Sequence, residues 1–203
     1  MSRIQVSMHA HSAATWPTIA WAAVVAASVG LAQVGASSAS QGAIPGGCNS
    51  MTKSTQGEQG VRRATAAGVE FEWRIEGDVL KGRMSARTTG WVTVGFNRER
   101  DLRGTRLVMG YVQGGRTVVE EHIADPPDHR PKVSLGGTSG VVSATGVERD
   151  GTTTIDFELR LDTGDSFDVP LVPGQSYYTT FAWSHEDDLY HHSASRSAID
   201  LVL

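Results

Sequence analysis

The chain has 203 residues, a formal net charge of -4 and 39% hydrophobic residues, with 23 glycines and one cysteine. That length supports one domain with extra segments rather than two full domains. Acidic and basic residues are mixed along the chain, so no basic stripe or tail marks it for nucleic acid, and the single Cys48 excludes an internal disulfide.

Residues 16–36, "WPTIAWAAVVAASVGLAQVGA", carry no charge. The run is rich in Ala and Gly and ends on the small residues Val34-Gly35-Ala36, the pattern of a secretory leader. It also reaches the ~20 residues needed to cross hydrocarbon as a helix, so an uncleaved anchor is the competing reading. Either way, residues 1–36 direct the chain out of the cytoplasm, and membrane contact is expected only through them. Residues 37–66 begin "SSASQGAIPGGCNS" and read as a flexible tether that carries Cys48.

Beyond it the apolar period changes to two. Val69, Phe71, Trp73 and Ile75 alternate with Glu70, Glu72, Arg74 and Glu76. Gly77-Asp78 marks a tight turn. "GWVTVGF" (90–96) reads as a strand with a close backbone approach at Gly95. "RLVMGYV" and "RTVVEEHI" flank Gln113-Gly114-Gly115 as a hairpin, and Ile155, Phe157, Leu159 and Leu161 repeat the alternation. "SYYTTFAWS" and "RSAIDLVL" close the chain. No segment past residue 60 repeats its apolar residues at 3.6. The pattern predicts an all-β fold over residues 67–203, an antiparallel immunoglobulin-like β-sandwich of about 8–10 strands.

The succession "GWVTVGFN", "LRGTRLVMGYVQGG", "TTTIDFELRLDTGD", "LVPGQSYYTTFAWS" and "HHSASRS" resembles a DOMON domain of the stand-alone exported kind, from about Gly68 to Leu203. The resemblance implies a ligand-binding sandwich. Members related to the cytochrome domain of cellobiose dehydrogenase hold haem b between a methionine and a histidine, for electron transfer; others bind sugars or assemble with proteins. Carried across by position, the histidine falls at His192, by its spacing to Arg196, or at His191 with a shift of one. Arg196 is then placed to pair with a haem propionate. The methionine position in "DLRGT" holds Leu102, which cannot coordinate iron. Met109 lies seven residues on, within the next strand, and reaches the iron only with a shift of register. Met84 reads as core packing.

Apart from the resemblance, "HEDDLYHHSASR" (185–196) gathers nitrogen and oxygen donors, so His192 and His191 are also candidates for a divalent metal, with His185 and nearby carboxylates. The spacing is that of no standard zinc or calcium loop. Asp187 and Asp188 either orient an imidazole or form the turn before the last strand. His122 and His129 bracket the loop "HIADPPDH", and Trp91 and Trp183 read as core or as stacking platforms. No nucleophile elbow, phosphate loop or paired-acid motif is present. The expectation is a non-enzyme: either a haem-binding module with a redox partner, five-coordinate for want of the methionine, or a cofactor-free surface module for a sugar or a protein.

Overall fold

The computed structural model describes residues 60–203. The leader or anchor, most of the tether and Cys48 lie outside the described residues. Eleven strands follow in order: β1 (Arg62–Ala66), β2 (Val69–Glu76), β3 (Val79–Ala86), β4 (Val92–Asn97), β5 (Arg106–Gln113), β6 (Arg116–Asp125), β7 (Asp128–Pro131), β8 (Val141–Arg149), β9 (Thr152–Arg160), β10 (Ser176–Trp183) and β11 (Ser195–Val202). A single 3-10 turn, Lys132–Leu135, is the helical element among the described residues.

The strands form a five-stranded sheet, β1-β2-β3-β9-β8, and a six-stranded sheet, β11-β10-β4-β5-β6-β7, each antiparallel throughout. Two-residue turns close five hairpins, β1–β2, β2–β3, β5–β6, β6–β7 and β8–β9. Gly114-Gly115 and Asp150-Gly151 both hold positive φ at each position, the mirror-image turn whose twist matches the flanking strands.

Register builds the interior. Phe71 lies opposite Met84, which lies opposite Ile155; one row further, Trp73, Gly82 and Phe157 align. A Cβ at Gly82 would meet the Phe157 ring at 2.5 Å, so only glycine lets that ring lie flat across β3. Phe71 stacks on Trp73 with centroids 5.0 Å apart, and Phe157 lies parallel to it at 6.3 Å. Val92, Val94, Phe96, Val108 and Phe181 close the layer from the six-stranded sheet.

Three elements depart from the expected layout. The sheet begins at Arg62, inside the stretch expected to be tether, because Ala64 and Ala66 alternate with Arg63 and Thr65 and pack against the core. β8 is a mostly exposed edge strand, so its sequence lacks a clean apolar face. The loop expected around His129 is instead the β6–β7 hairpin, turned at Pro126-Pro127.

Candidate functional site

β4 is buried at every position and β5 at nearly every one, so both faces of the six-stranded sheet are covered there. One face meets the other sheet. The other carries a second apolar cluster of Trp91, Leu107, Met109, Ala124, Ala182 and Leu189, with Leu102 and Tyr111 packed against it. Directly opposed residues share a face, and one row across this outer face therefore runs Arg196, Ala182, Thr93, Met109, Glu120. The next runs Ala198, Thr180, Gly95, Leu107, His122. The middle of the face is small, Ala182, Thr93, Thr180 and Gly95. Leu107 leans over Gly95, where a Cβ would meet its Cδ2 at 2.4 Å.

Two loops roof this face. Residues 98–105 are held by Asn97, whose Nδ2 donates to the carbonyls of Asp101 at 2.8 Å and Arg103 at 2.9 Å; they bring the half-buried Leu102 onto the cluster. Residues 184–194 are pinned at Trp91, whose N–H donates to the Glu186 carbonyl at 3.0 Å and whose carbonyl accepts from Ser184 N–H at 2.9 Å. The loop passes so closely that a Cβ on Gly90 would lie 2.4 Å from the Glu186 nitrogen. Leu189 plugs into the cluster from above. Inside it the Trp91 indole N–H is buried and finds no hydrogen-bond partner; Asp187 Oδ1 is a second buried, unpaired polar atom in the loop.

The residues singled out from sequence are placed as follows. Met109 and Arg196 share the same row of the outer face, Met109 buried and Arg196 exposed. Leu102 touches the cluster from the roof. His191 and His192 precede β11 rather than lying in it, so strand alternation does not separate them, and both are exposed. Their backbone is tied down: His191 N–H donates to the Asp188 carbonyl at 3.0 Å, and Ser184 Oγ donates to the His192 carbonyl at 3.2 Å. The Asp188 carboxylate accepts from Tyr190 N–H at 2.9 Å, the turn role rather than the imidazole-orienting one. Met84 lies between the sheets, away from this face. Trp183 packs against the inner core and donates its indole N–H to the Ala67 carbonyl at 2.8 Å. Among the described residues no three His, Cys, Asp or Glu side chains converge as a metal-holding group.

Two assemblies are not put together from sequence alone, although His122 and His129 bracket one loop there and His129 reads as able to approach a metal. One is ionic and lies between the sheets: Arg106 on β5, Glu121 on β6, Lys132 at the start of the 3-10 turn and Asp168 from a loop, all fully or almost fully buried. The other ends the outer face at its β6–β7 edge. There His122 Nδ1 lies 2.9 Å from His129 Nδ1, and His122 Nε2 lies 3.0 Å from Glu120 Oε2. Tyr190 of the roof loop lies parallel to the His129 ring at 6.0 Å. Burial holds the His122 imidazole below the usual histidine range against the pull of Glu120; burial, and next the neighbouring His122, does the same to His129. Diagonal neighbours on a hairpin are visible in sequence only once the hairpin is recognised.

The chain is similar in fold to the cytochrome domain of cellobiose dehydrogenase from Myriococcum thermophilum, at 10% identity and a TM-score of 0.55, over 76% of this chain and 89% of that one. A match to the cytochrome b domain of pyranose dehydrogenase from Coprinopsis cinerea has 15% identity and a TM-score of 0.49, over 73% of this chain and 87% of that one. The family model for the DOMON domain matches residues 66–184, more than half of the chain and the span from the end of β1 to the first residue after β10. With that match laid on a two-sheet antiparallel sandwich, the chain belongs to the DOMON domain family.

Proposed function

We propose that this DOMON domain is a non-catalytic binding module of an exported protein, that its ligand lies on the outer face of the six-stranded sheet, and that the ligand is haem b. One observation carries the reading: a buried indole N–H, that of Trp91, stands unpaired in an apolar cluster roofed by loops instead of by a second sheet. Buried donors are normally satisfied; the Trp73 indole N–H between the sheets is unpaired as well, so it is the loop roof over the Trp91 N–H, together with its missing partner, that supports a ligand bearing an acceptor there. Similarity of fold to a cytochrome domain supports haem as the first candidate without placing it.

The donor set offers haem one imidazole from the roof and no thioether at Leu102; Met109, buried on the same face, would reach the iron only with a shift of register. Leu102 has no lone pair for iron. His192, or His191 beside it, is the available imidazole on the roof, and because both are exposed, ligation requires the segment after Leu189 to turn inward. Haem would supply one-electron redox chemistry. The chain's own part is to exclude water with Leu102, Leu107 and Leu189, and to offer Arg196, on the Met109 row, to a propionate.

Haem titration of the purified chain tests this. A Soret band at stoichiometric haem, five-coordinate and high-spin, is expected, with its loss in His192→Ala or His191→Ala and a shift toward low spin in Leu102→Met. An unchanged free-haem spectrum would reject the reading. That outcome selects the cofactor-free alternative, a surface module for a sugar or protein partner, which the exposure of both imidazoles and the filling of the face by Leu107 and Leu189 favour.

A further inference from the structure

We propose that His122 and His129 form a binding site for a divalent transition metal, copper(II) ahead of zinc(II), at the β6–β7 edge of the six-stranded sheet. The site shares no ligand with the haem reading and stands whether or not that reading does.

The two rings come together because of the hairpin. His122 lies opposite Pro131 and His129 opposite Ala124, so the histidines are diagonal neighbours, close enough for long side chains to meet. Their centroids are 4.9 Å apart with planes at 63°. The Nδ1 atoms approach to 2.9 Å, which leaves room for one proton between them. Its position follows from the third member. A carboxylate only accepts, so His122 donates its Nε2–H to Glu120 and presents a bare lone pair at Nδ1. The proton between the rings therefore belongs to His129.

Metal-binding histidines use one nitrogen for the ion and hydrogen-bond the other to a carboxylate that fixes the tautomer; His122 has the carboxylate, and its Nδ1 becomes available once the His129 proton leaves. The 2.9 Å separation is that of a hydrogen bond in the metal-free pair; it shows that both donors lie within reach of one ion without fixing its geometry. Copper(II) comes first because it heads the affinity order for nitrogen sites. On binding, the His129 Nδ1 proton leaves to water and one returns at Nε2, so both imidazoles stay neutral and the net proton count is unchanged. His129 is half-buried on a four-residue edge strand, so its ring can turn the lone pair toward the ion. No third His, Cys, Asp or Glu joins the pair among the described residues, so water completes the coordination and the ion exchanges readily.

The test is copper(II) titration of the full chain, read by electron paramagnetic resonance. Because His9, His11, His185, His191, His192 and Cys48 are also present, the readout is a difference between variants. His129→Ala is expected to lose one equivalent of copper and its two-imidazole nitrogen coupling, with an unchanged circular dichroism spectrum. A His191→Ala/His192→Ala double variant is expected to keep both. Glu120→Gln is expected to weaken that equivalent by about tenfold or more without abolishing it, the behaviour of a positioning residue. Copper stoichiometry and nitrogen coupling identical in the parent chain and His129→Ala would overturn the proposal.

Discussion

The layer between the two sheets and the cluster outside the six-stranded sheet are both apolar and both buried, yet they are built differently. Between the sheets the two broad walls are hydrogen-bonded strands, joined by loop residues such as Leu171, and rings such as Phe71, Trp73 and Phe157 lock in register. Outside, one wall is a sheet and the other is two loops, held at a few points such as Asn97 and Trp91. A wall of strands opens only by breaking a ladder. A wall of loops can move while every strand stays paired. The difference separates the part of the fold that supplies stability from the part where the proposed ligand would enter.

The inner layer is not uniformly apolar, and its charged end should give the largest effect. Arg106 Nε donates to Glu121 at 2.5 Å, and the same guanidinium reaches the carbonyls of Arg160 at 3.0 Å and Leu161 at 3.2 Å. Lys132 Nζ donates to Asp168 and, at 2.9 Å, to Thr163 Oγ1, with Asp165 at 3.2 Å. Two buried cations thus balance two buried carboxylates, with Asp165 at the margin. Removing one partner from such a set strands a charge, at a cost of about 3–5 kcal/mol. Lys132→Met should lower the free energy of urea unfolding by about that amount. A loss under about 1 kcal/mol, the level of an exposed pair, would show that the cluster contributes little to folding.

Acid should reach the same end of the layer by another route and remove part of the same stabilisation. Burial pushes both carboxyls up, but other groups more than offset it. For Asp165 the N–H groups of Thr138 and Phe167, with Lys132 and Thr163, hold the carboxyl down at about 2. For Asp168, Lys132, then the Thr163 hydroxyl and N–H, and then Arg106 keep it below the usual range. A carboxyl whose folded value is depressed adds stability above its unfolded value, near 3.8, and loses it as pH falls toward the folded one. Urea midpoints should therefore fall as pH drops from about 4 to about 2, and the fall should be shallower in Lys132→Met. Parallel pH curves for the two proteins would refute Lys132 as a group that helps hold these carboxyls down.

The inner layer was legible in the sequence because it has two-residue periodicity: Val69, Phe71, Trp73 and Ile75 announce a strand and its buried face at once. β1 and β8 were hard to read for opposite reasons, the first disguised by small alanines in a tether-like context, the second an exposed edge with little apolar signal. The outer cluster left a fainter trace, the unbroken burial-prone runs "WVTVGF" and "LVMGYV", which lack polar alternation because both faces are covered. Met109 and Arg196 were named from sequence, but their common row depends on the registers of β5, β4, β10 and β11, which no local pattern encodes. Lys132 and Asp168 are 36 residues apart, and although Arg106 and Glu121 lie diagonally across the β5–β6 hairpin, ordinary charges carry no mark of burial.

The contrast between the two apolar regions is sharpest at a pair of leucines. Leu80 is fully buried between the sheets and Leu189 nearly so beneath the roof loop, and truncation to alanine removes the same atoms from each. The cost depends on the cavity left behind and on how far the surroundings relax into it. Around Leu80 the strands cannot close the gap, and Leu80→Ala should cost about 4 kcal/mol. Residues 184–194 can settle onto Thr93, Gly95 and Ala182, so Leu189→Ala should cost about 2 kcal/mol, the lower end of the range for such truncations. Urea unfolding of the two variants at one pH measures both. Equal losses would mean that the roof is as rigid as a sheet and that the outer cluster is a second core, leaving a ligand no way in. A clear gap, with Leu189→Ala the milder change, would locate the movable wall directly over the unpaired Trp91 N–H.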